Sequence, residues 1–490
     1  MSAIYKRELK SYFRSFIGFL FIAVTLFFLG LYFSVYNLMN GYPYFAYVVS
    51  SVTFLFMLTV PILTMRILAE EKRSKTDQLI LTAPVSVGGI VMGKFLALLT
   101  IFAIPVAIIC FYPLIMAQYG SVPMGEAYLS ILAYFLFGMT AIAIGLFLSS
   151  VTESQVIAAV LTFLVLFLGY MMDSICSIIS STGNLLTKLL RCFDLYTPFS
   201  NLLNGTLDVS SIVYYVSVTA LVLFLTVQSI QKRRYSMSVK NLSFSAYSTG
   251  MIAVAVALVV IVNIIMGEMP SSWIAIDMTS QKLYSLTDQT VDYVKNMQDD
   301  VTIYVLVNQD NQDTTLGQTL QRYDDLSDHI TVEYVDPTVN PMFYTQYTTG
   351  NISTNSLIVV SEKRSKVIDY NDVYESSYDF DYSTYSYNTT TTGYDGEGQI
   401  TSALDYVLND DMPKVYMTTG HNELSLSNTF TSALNKENVD YETVNLMDLD
   451  AIPDDAACLF INGATSDFSS DDKDKVIDYL NNGGKVILVT

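Results

Sequence analysis

Long apolar runs alternate with short polar connections through the first 270 residues, and the pattern then stops. A helix needs roughly 20 apolar residues to cross ~30 Å of hydrocarbon. Seven runs approach that length, at about 17–39, 45–65, 95–117, 128–150, 156–172, 212–230 and 250–266. Each is expected to be a helix, because a helix satisfies its own backbone in lipid. The fifth and seventh are short, and Pro105 and Pro113 predict a kink in the third. Ahead of the first run, Lys6, Arg7, Lys10 and Arg14 are spaced among Ile4, Tyr5, Leu9, Tyr12, Phe13 and Phe16. That spacing suits a short helix lying on a membrane surface. The first run is too long for a signal peptide, and no small-residue cleavage site closes it.

Beyond about 275 the pattern turns globular, with α/β alternation. Val301–Val307 and Ile330–Val335 predict strands around a polar helix at 315–327, and Ser356–Glu362 and Lys366–Tyr370 predict a hairpin. A β-α-β unit followed by a hairpin is thioredoxin-like in plan, without redox cysteines. Residues 371–396 are rich in Tyr, Ser, Thr, Asp and Asn and are expected as a flexible exposed loop between two lobes. A Tyr-rich binding surface is the alternative there. Lys414–Thr419, Tyr441–Leu446, Ala457–Gly463 and Lys485–Val489 predict buried strands, separated in part by helices at 424–436 and 471–481. Runs such as Cys458–Ile461 suit a parallel sheet covered on both faces, with Cys458 in the core. The chain reaches Thr490 inside a predicted strand, so the native chain is expected to continue.

Charge sharpens the division. Only 15% of residues are charged, against about 25% in an ordinary soluble domain. Residues 1–240 hold 15 Lys+Arg and 9 Asp+Glu; residues 241–490 hold 11 and 37. A single soluble globule, a disordered chain and a nucleic-acid binder are all excluded. Basic residues cluster at Arg66, Lys72, Arg73, Lys75 and Lys94 and again at Lys232, Arg233 and Arg234. The 118–127 connection has none, and 173–211 has only Lys188 and Arg191. The positive-inside rule then places the N-terminus, 66–94, 151–155 and 231–249 in the cytoplasm. Seven crossings put everything after about 267 outside, with Trp273 as an interfacial anchor. Charges within the runs are nearly absent, which argues against an ion-coupled carrier. Glu126 and Glu153 fall at run ends, where solvation is the simpler reading.

Gly88–Lys94 fits most of a GxxxxGK[ST] phosphate loop, but Phe95 stands where Ser or Thr would hold Mg²⁺. The stretch also enters an apolar run instead of joining a strand to a helix. No ATPase site follows from it. Two motifs around it carry a resemblance. Glu70-Glu-Lys-Arg-Ser-Lys-Thr-Asp-Gln-Leu-Ile-Leu-Thr-Ala-Pro-Val-Ser86, then Gly93-Lys94-Phe95, closely resembles the first cytoplasmic loop of ABC-2 type transporter permeases. Arg7–Phe13 resembles their N-terminal surface helix, and Gly145–Val156 their fourth-to-fifth span turn. The resemblance implies that this loop docks on a separate cytoplasmic ATP-binding subunit, with Glu70, Glu71, Lys72, Arg73 and Thr76 at or near the contact. On its residues alone, the loop reads equally well as a solvated connection. The resemblance also implies a pathway built with a second permease copy, as homo- or heterodimer. No cofactor is expected in this chain, and ATP and Mg²⁺ would sit on the partner.

Asp277–Thr290, Val335-Asp-Pro337, Glu397–Leu404, Val415–Glu423 and the tail from Ile452 resemble the auxiliary subunit of gliding-motility-associated ABC transporters. The resemblance covers about 275–490 and implies an extracytoplasmic accessory domain on a bacterial cell membrane. The expected fold class is a polytopic α-helical membrane domain, a six-span ABC-2 permease core plus a seventh span, followed by an extracytoplasmic α/β domain with two lobes. The expected divisions are 1–240, 241–270, 271–370, 371–396 and 397–490.

Candidate chemistry is sparse. Four cysteines form no CxxC pair, and His329 and His421 are the only histidines. His-rich metal sites and most His-based catalysis are excluded by count. Thr419-Gly-His-Asn-Glu423 follows a strand end, where parallel sheets place ligands. His421 and Glu423 are therefore candidate ligand or metal contacts, with a hydrogen-bonded loop cap as the stronger reading. The aspartates at 467–474 suit a helix start and lack the pattern of a calcium loop. Cys176 and Cys192 share a predicted outside loop and could pair. The leading function is the permease subunit of an ABC-2 exporter that acts on an unidentified cargo and is not itself an enzyme. The rival is an ATP-powered membrane anchor that acts on cell-envelope partners.

Overall fold

A computed structural model describes the chain apart from residues 78–84, 180–186, 188–189, 235–241, 268, 270–273, 280–281, 284, 308–311, 351, 382–385 and 410–411. Trp273, Lys188 and Thr82-Ala83-Pro84 lie outside the described residues. The chain forms two compact units, Met1–Ser285 and Leu286–Thr490. The first is a polytopic helical membrane domain and the second a region of mixed α/β sheets.

The first unit opens with α1 (Ser2–Arg14), which buries Tyr12 and Glu8. The chain continues through α2 (Phe16–Phe33), α3 (Ala46–Thr64), α4 (Arg66–Arg73) and α5 (Val87–Ile109). Then come α6 (Met124–Val151), α7 (Gln155–Tyr170) and α8 (Thr197–Leu203). Strand β1 (Thr206–Asp208), α9 (Val209–Arg234), α10 (Leu242–Gly267) and β2 (Ala275–Asp277) complete it. Among the described residues, six helices are long and apolar enough to cross a membrane: Phe16–Met39, Ala46–Arg73, Val87–Met116, Met124–Val151, Val209–Lys232 and Thr249–Gly267. The fifth expected span forms the shorter apolar helix Gln155–Tyr170. Pro105 lies inside α5, which runs on to Ile109, whereas Pro113 opens a separate short helix.

Two glycines make room for side chains of neighbouring helices. A Cβ on Gly138 would lie 2.3 Å from the Phe102 ring, and one on Gly145 would lie 2.2 Å from Thr64 Oγ1. Small residues let membrane helices meet backbone to backbone, where apolar lipid supplies little hydrophobic drive. The Thr140 and Thr219 hydroxyls, 2.9 Å apart, tie α6 to α9.

Helix α6 spans the unit from end to end. At its start, Gly125 packs on Met278, and Gly205 beside it accepts from Met278 N at 2.9 Å. There β1 pairs antiparallel with β2, Thr206 opposite Asp277. Near its end, Ser149 Oγ accepts from Leu68 N and Ala69 N of α4 at 3.2 and 3.0 Å. At 1.5 Å per residue, Gly125 and Ser149 are about 36 Å apart, so the β1–β2 clip and α4 occupy opposite ends.

The second unit starts with α11 (Asp288–Lys295), then β3 (Val301–Val305), α12 (Thr314–Leu326) and β4 (Ile330–Tyr334). With β5 (Leu357–Val360) and β6 (Ser365–Ile368) these make a sheet of order β4-β3-β5-β6. Only β3 and β4 are parallel, as the predicted β-α-β unit plus hairpin requires.

Two expectations are corrected here. The described part of 371–396, expected as a flexible loop, contains β7 (Tyr374–Asp381) and β8 (Ser386–Tyr394), which pair antiparallel. A segment poor in aliphatics can still pair its own backbone, and Thr and Tyr favour strands. Its base is anchored by Tyr374 Oη on Asp313 Oδ1 at 3.0 Å and by Tyr394 Oη with Thr319 Oγ1 at 2.8 Å. The second correction concerns α13 (Gly396–Leu408), expected in the second lobe. Its Ile400, Ala403, Leu404 and Val407 instead join Ile303, Leu320 and Leu357 in the first lobe's core.

The second lobe therefore begins at β9 (Lys414–Thr419). It adds α14 (Asn428–Lys436), β10 (Asp440–Asn445), β11 (Ala456–Asn462), α15 (Ser470–Asn481) and β12 (Val486–Val489). The sheet, in order β10-β9-β11-β12, is wholly parallel over a core of Tyr416, Val444, Leu446, Leu459 and Ile461. Cys458, expected in that core, is only half-buried. No disulfide joins Cys176 and Cys192; Cys176 Sγ instead faces the Thr187 carbonyl at 3.8 Å.

Candidate functional site

Helix α4 continues the line of α3 and carries the residues expected at a docking contact. Its Ile67, Leu68 and Ala69 are buried, and its charges divide into two groups. Glu70 pairs with Arg66 one turn back. Glu71 turns inward, where Oε1 meets Arg7 Nη2 and Oε2 meets Lys94 Nζ, each at 2.8 Å. Lys72 Nζ donates to Val151 O at 3.2 Å and lies 3.4 Å from Glu153. These three expected docking residues are engaged within the chain.

Arg73 and Thr76 are exposed, and Arg73 makes no ion pair among the described residues. The turn that presents them is a Schellman motif. Thr76 N donates to Glu71 O at 3.0 Å, Lys75 N donates to Lys72 O at 3.2 Å, and Lys75 itself sits at φ 57°. Glycine is usual at such a left-handed position. Here a lysine holds it, so a cation projects at the tip beside Arg73.

Lys94, expected at the cytoplasmic entry to the third span on the helix that runs into it, lies in the second turn of α5 and is 0% exposed. Its burial is the part that sequence alone did not show. Its ammonium reaches Glu71 Oε2 at 2.8 Å, Ile67 O at 3.1 Å and Glu8 Oε1 at 3.2 Å. Arg7 also pairs with Glu8, so two cations and two carboxylates balance. The helix that holds Gly88–Lys94 is not a phosphate loop, and Lys94 already has three acceptors. Its signal in the sequence was a single charge within the apolar stretch 87–109.

The second candidate lies at the C-terminal end of β9. The connections from β9 and from β11 leave toward opposite sides of the sheet, the usual ligand position in such folds. His421 is buried there, its Nδ1 3.6 Å from Glu423 Oε1 and its Nε2 3.4 Å from Asp472 Oδ2. Its ring stacks on Phe468 with centroids 4.0 Å apart. Burial pushes the Glu423 carboxyl up, but backbone N–H donors at Glu423 and His421 outweigh it and hold it below the usual range. The Ser469 hydroxyl, then Lys475, hold Asp472 low as well.

Backbone bonds close the crevice. Thr465 N and Ser466 N donate to His421 O, and Leu424 N donates to Asn462 O at 2.7 Å. Among the described residues no group of three His, Cys, Asp or Glu has the geometry to hold a metal. These contacts tie the loop after β9 to the start of α15. Asp472, the third member of the cluster, was expected in an acidic helix start and lies in the first turn of α15; its contact with His421 was not foreseen because the two are some 50 residues apart in the chain.

The class is that of a multi-pass helical membrane protein with an appended α/β region. Residues 31–230 match the family described as ABC-2 family transporter protein, and they hold every helix from the end of α2 through most of α9. Residues 280–373 match a domain of unknown function, DUF7088. No curated protein matches the chain. Residues 31–230 are thus similar to the membrane domain of ABC-2 transporters.

Proposed function

We propose that this chain is the permease subunit of an ABC-2 exporter, driven by a separate cytoplasmic ATPase that docks on the turn 73–76. One observation carries the reading. Within an ABC-2 domain, the body of α4 is secured by internal pairs while Arg73, Lys75 and Thr76 are presented outward on a capped turn. That surface is cationic, so the receiving groove on the ATPase is acidic. ATP and Mg²⁺ belong to that partner, and a second permease copy completes the pathway in the lipid bilayer.

The length of α6 supports the orientation read from the positive-inside rule. With α4 and the N-terminus in the cytoplasm, the β1–β2 clip lies about 36 Å away on the outer side. Residues after 267 are then extracytoplasmic. There the acidic second unit serves as an accessory domain of the gliding-motility auxiliary kind, guiding or gating cargo.

The test is purification in mild detergent from the native bacterial membrane, with mass spectrometry of the proteins retained. The expected result is a phosphate-loop ATPase in stoichiometric amount, lost on Arg73→Glu. Retention of envelope proteins alone, under several gentle conditions, would overturn the reading in favour of a membrane anchor.

A further inference from the structure

We propose that Lys94 is a positioning residue that joins α1, α4 and α5 into one body, so that motion imposed at the docking turn reaches the surface helix. The inference rests on the docking reading above.

Lysine has three ammonium protons. Lys94 directs them to acceptors on two other helices: Glu8 on α1, and Glu71 and the Ile67 carbonyl on α4. Adhesion alone does not require this. Beside Lys94, α1 already packs on α5: a Cβ on Gly93 would lie 3.2 Å from Met1 O and 3.3 Å from Ile4 Cγ2. Tyr5 Oη and Thr100 Oγ1 add a contact at 3.1 Å. Replacing a buried ion pair by apolar groups of similar volume is often neutral or stabilising. A methionine at 94, facing neutral partners, would therefore hold the helices together as well. What the charges add is direction, since each bond fixes one helix end relative to another. Ser149 completes the fixation by capping Leu68 N and Ala69 N from α6. The first turns of α4 are thus held on three sides while Arg73–Thr76 project, an arrangement suited to passing on a displacement.

Hydrogen exchange on the full-length chain bound to its ATPase in lipid nanodiscs, with and without ATP plus vanadate, tests this. In the wild type, amides of α1 and α4 are expected to change protection together on nucleotide trapping. Lys94→Met is expected to keep the ATPase bound and to raise α1 exchange about tenfold. It is also expected to abolish the α1 response to nucleotide while that of α4 persists. Because Lys94→Met alone leaves Glu8 and Glu71 with Arg7 as their one cation and could misfold, the triple variant Glu8→Gln/Glu71→Gln/Lys94→Met is measured beside it. The triple is expected to fold and bind the ATPase with α1 still unresponsive. Wild-type nucleotide response of α1 in the triple would overturn the proposal, because the charges would then only balance one another. Arg73→Glu separates the two readings. If it retains the ATPase, the docking reading fails; if it releases the ATPase while α1 still follows nucleotide in the triple, only the Lys94 proposal fails.

Discussion

Two buried charge clusters invite comparison. In the helical unit, Lys94 sits between Glu8 and Glu71; in the second lobe, His421 sits between Glu423 and Asp472. Both place a basic group against two carboxylates, yet they differ in reach. Lys94 joins three helices and is one pairing away from the surface through half-exposed Arg7. His421 joins two loops of one small lobe and is sealed by Phe468. Shared chemistry therefore does not imply a shared role. A buried pair transmits when its members belong to elements that can move separately and when one of them reaches the outside. It locks when it is enclosed within one fold.

The largest effect is expected from the first cluster. Lys94→Met should destabilise the helical unit by about 3 kcal/mol, because it leaves Glu8 and Glu71 with partly exposed Arg7 as their one remaining cation. Thermal unfolding in nanodiscs measures this, and the neutral triple variant should recover most of the loss. His421→Ala should cost about 2 kcal/mol, confined to the second lobe, because it removes a buried ring stacked on Phe468. Hydrogen exchange in the full-length protein should show opening of 414–489 while the core of 301–407 stays protected. If both lobes loosen equally, the enclosed lock is wrong. Ser149→Ala should cost about 1 kcal/mol, the value of a helix cap, seen as faster exchange at Leu68 and Ala69.

Acid gives the smallest effect near neutrality. Glu423 and Asp472 titrate below their unfolded values, so the stability they contribute is present above roughly pH 4 and is lost as pH falls through their folded pKa values. Exchange in the second lobe should be insensitive to pH from this source between about 6 and 8 and should rise steeply below about 4. The Asp472→Asn variant should show a weaker acid response.

Much of the fold was legible because apolar length and strand periodicity are local signals. The runs from 17 to 266 form helices, and Lys414–Thr419 and Lys485–Val489 lie where strands were expected. What was not legible depended on contacts distant in sequence. Ile400 and Leu404 mark an amphipathic helix, but nothing local says which lobe they cover. Gly420, His421 and Glu423 were found from a strand-end rule, while Asp472 needed the fold to bring α15 alongside. Lys94 showed its charge plainly, yet its burial follows from the separate approaches of α1 and α4. The hairpin at 374–394 was missed because a core was sought where backbone pairing suffices.

The turn after α4 is the proposed receiving point for the ATPase. A photo-crosslinking amino acid placed at Thr76, in cells that make the protein natively, tests it most directly. One dominant adduct is expected, to a protein with a phosphate-binding loop, and it disappears on Arg73→Glu. Adducts only to envelope proteins, or an ATPase adduct indifferent to Arg73, would contradict docking there.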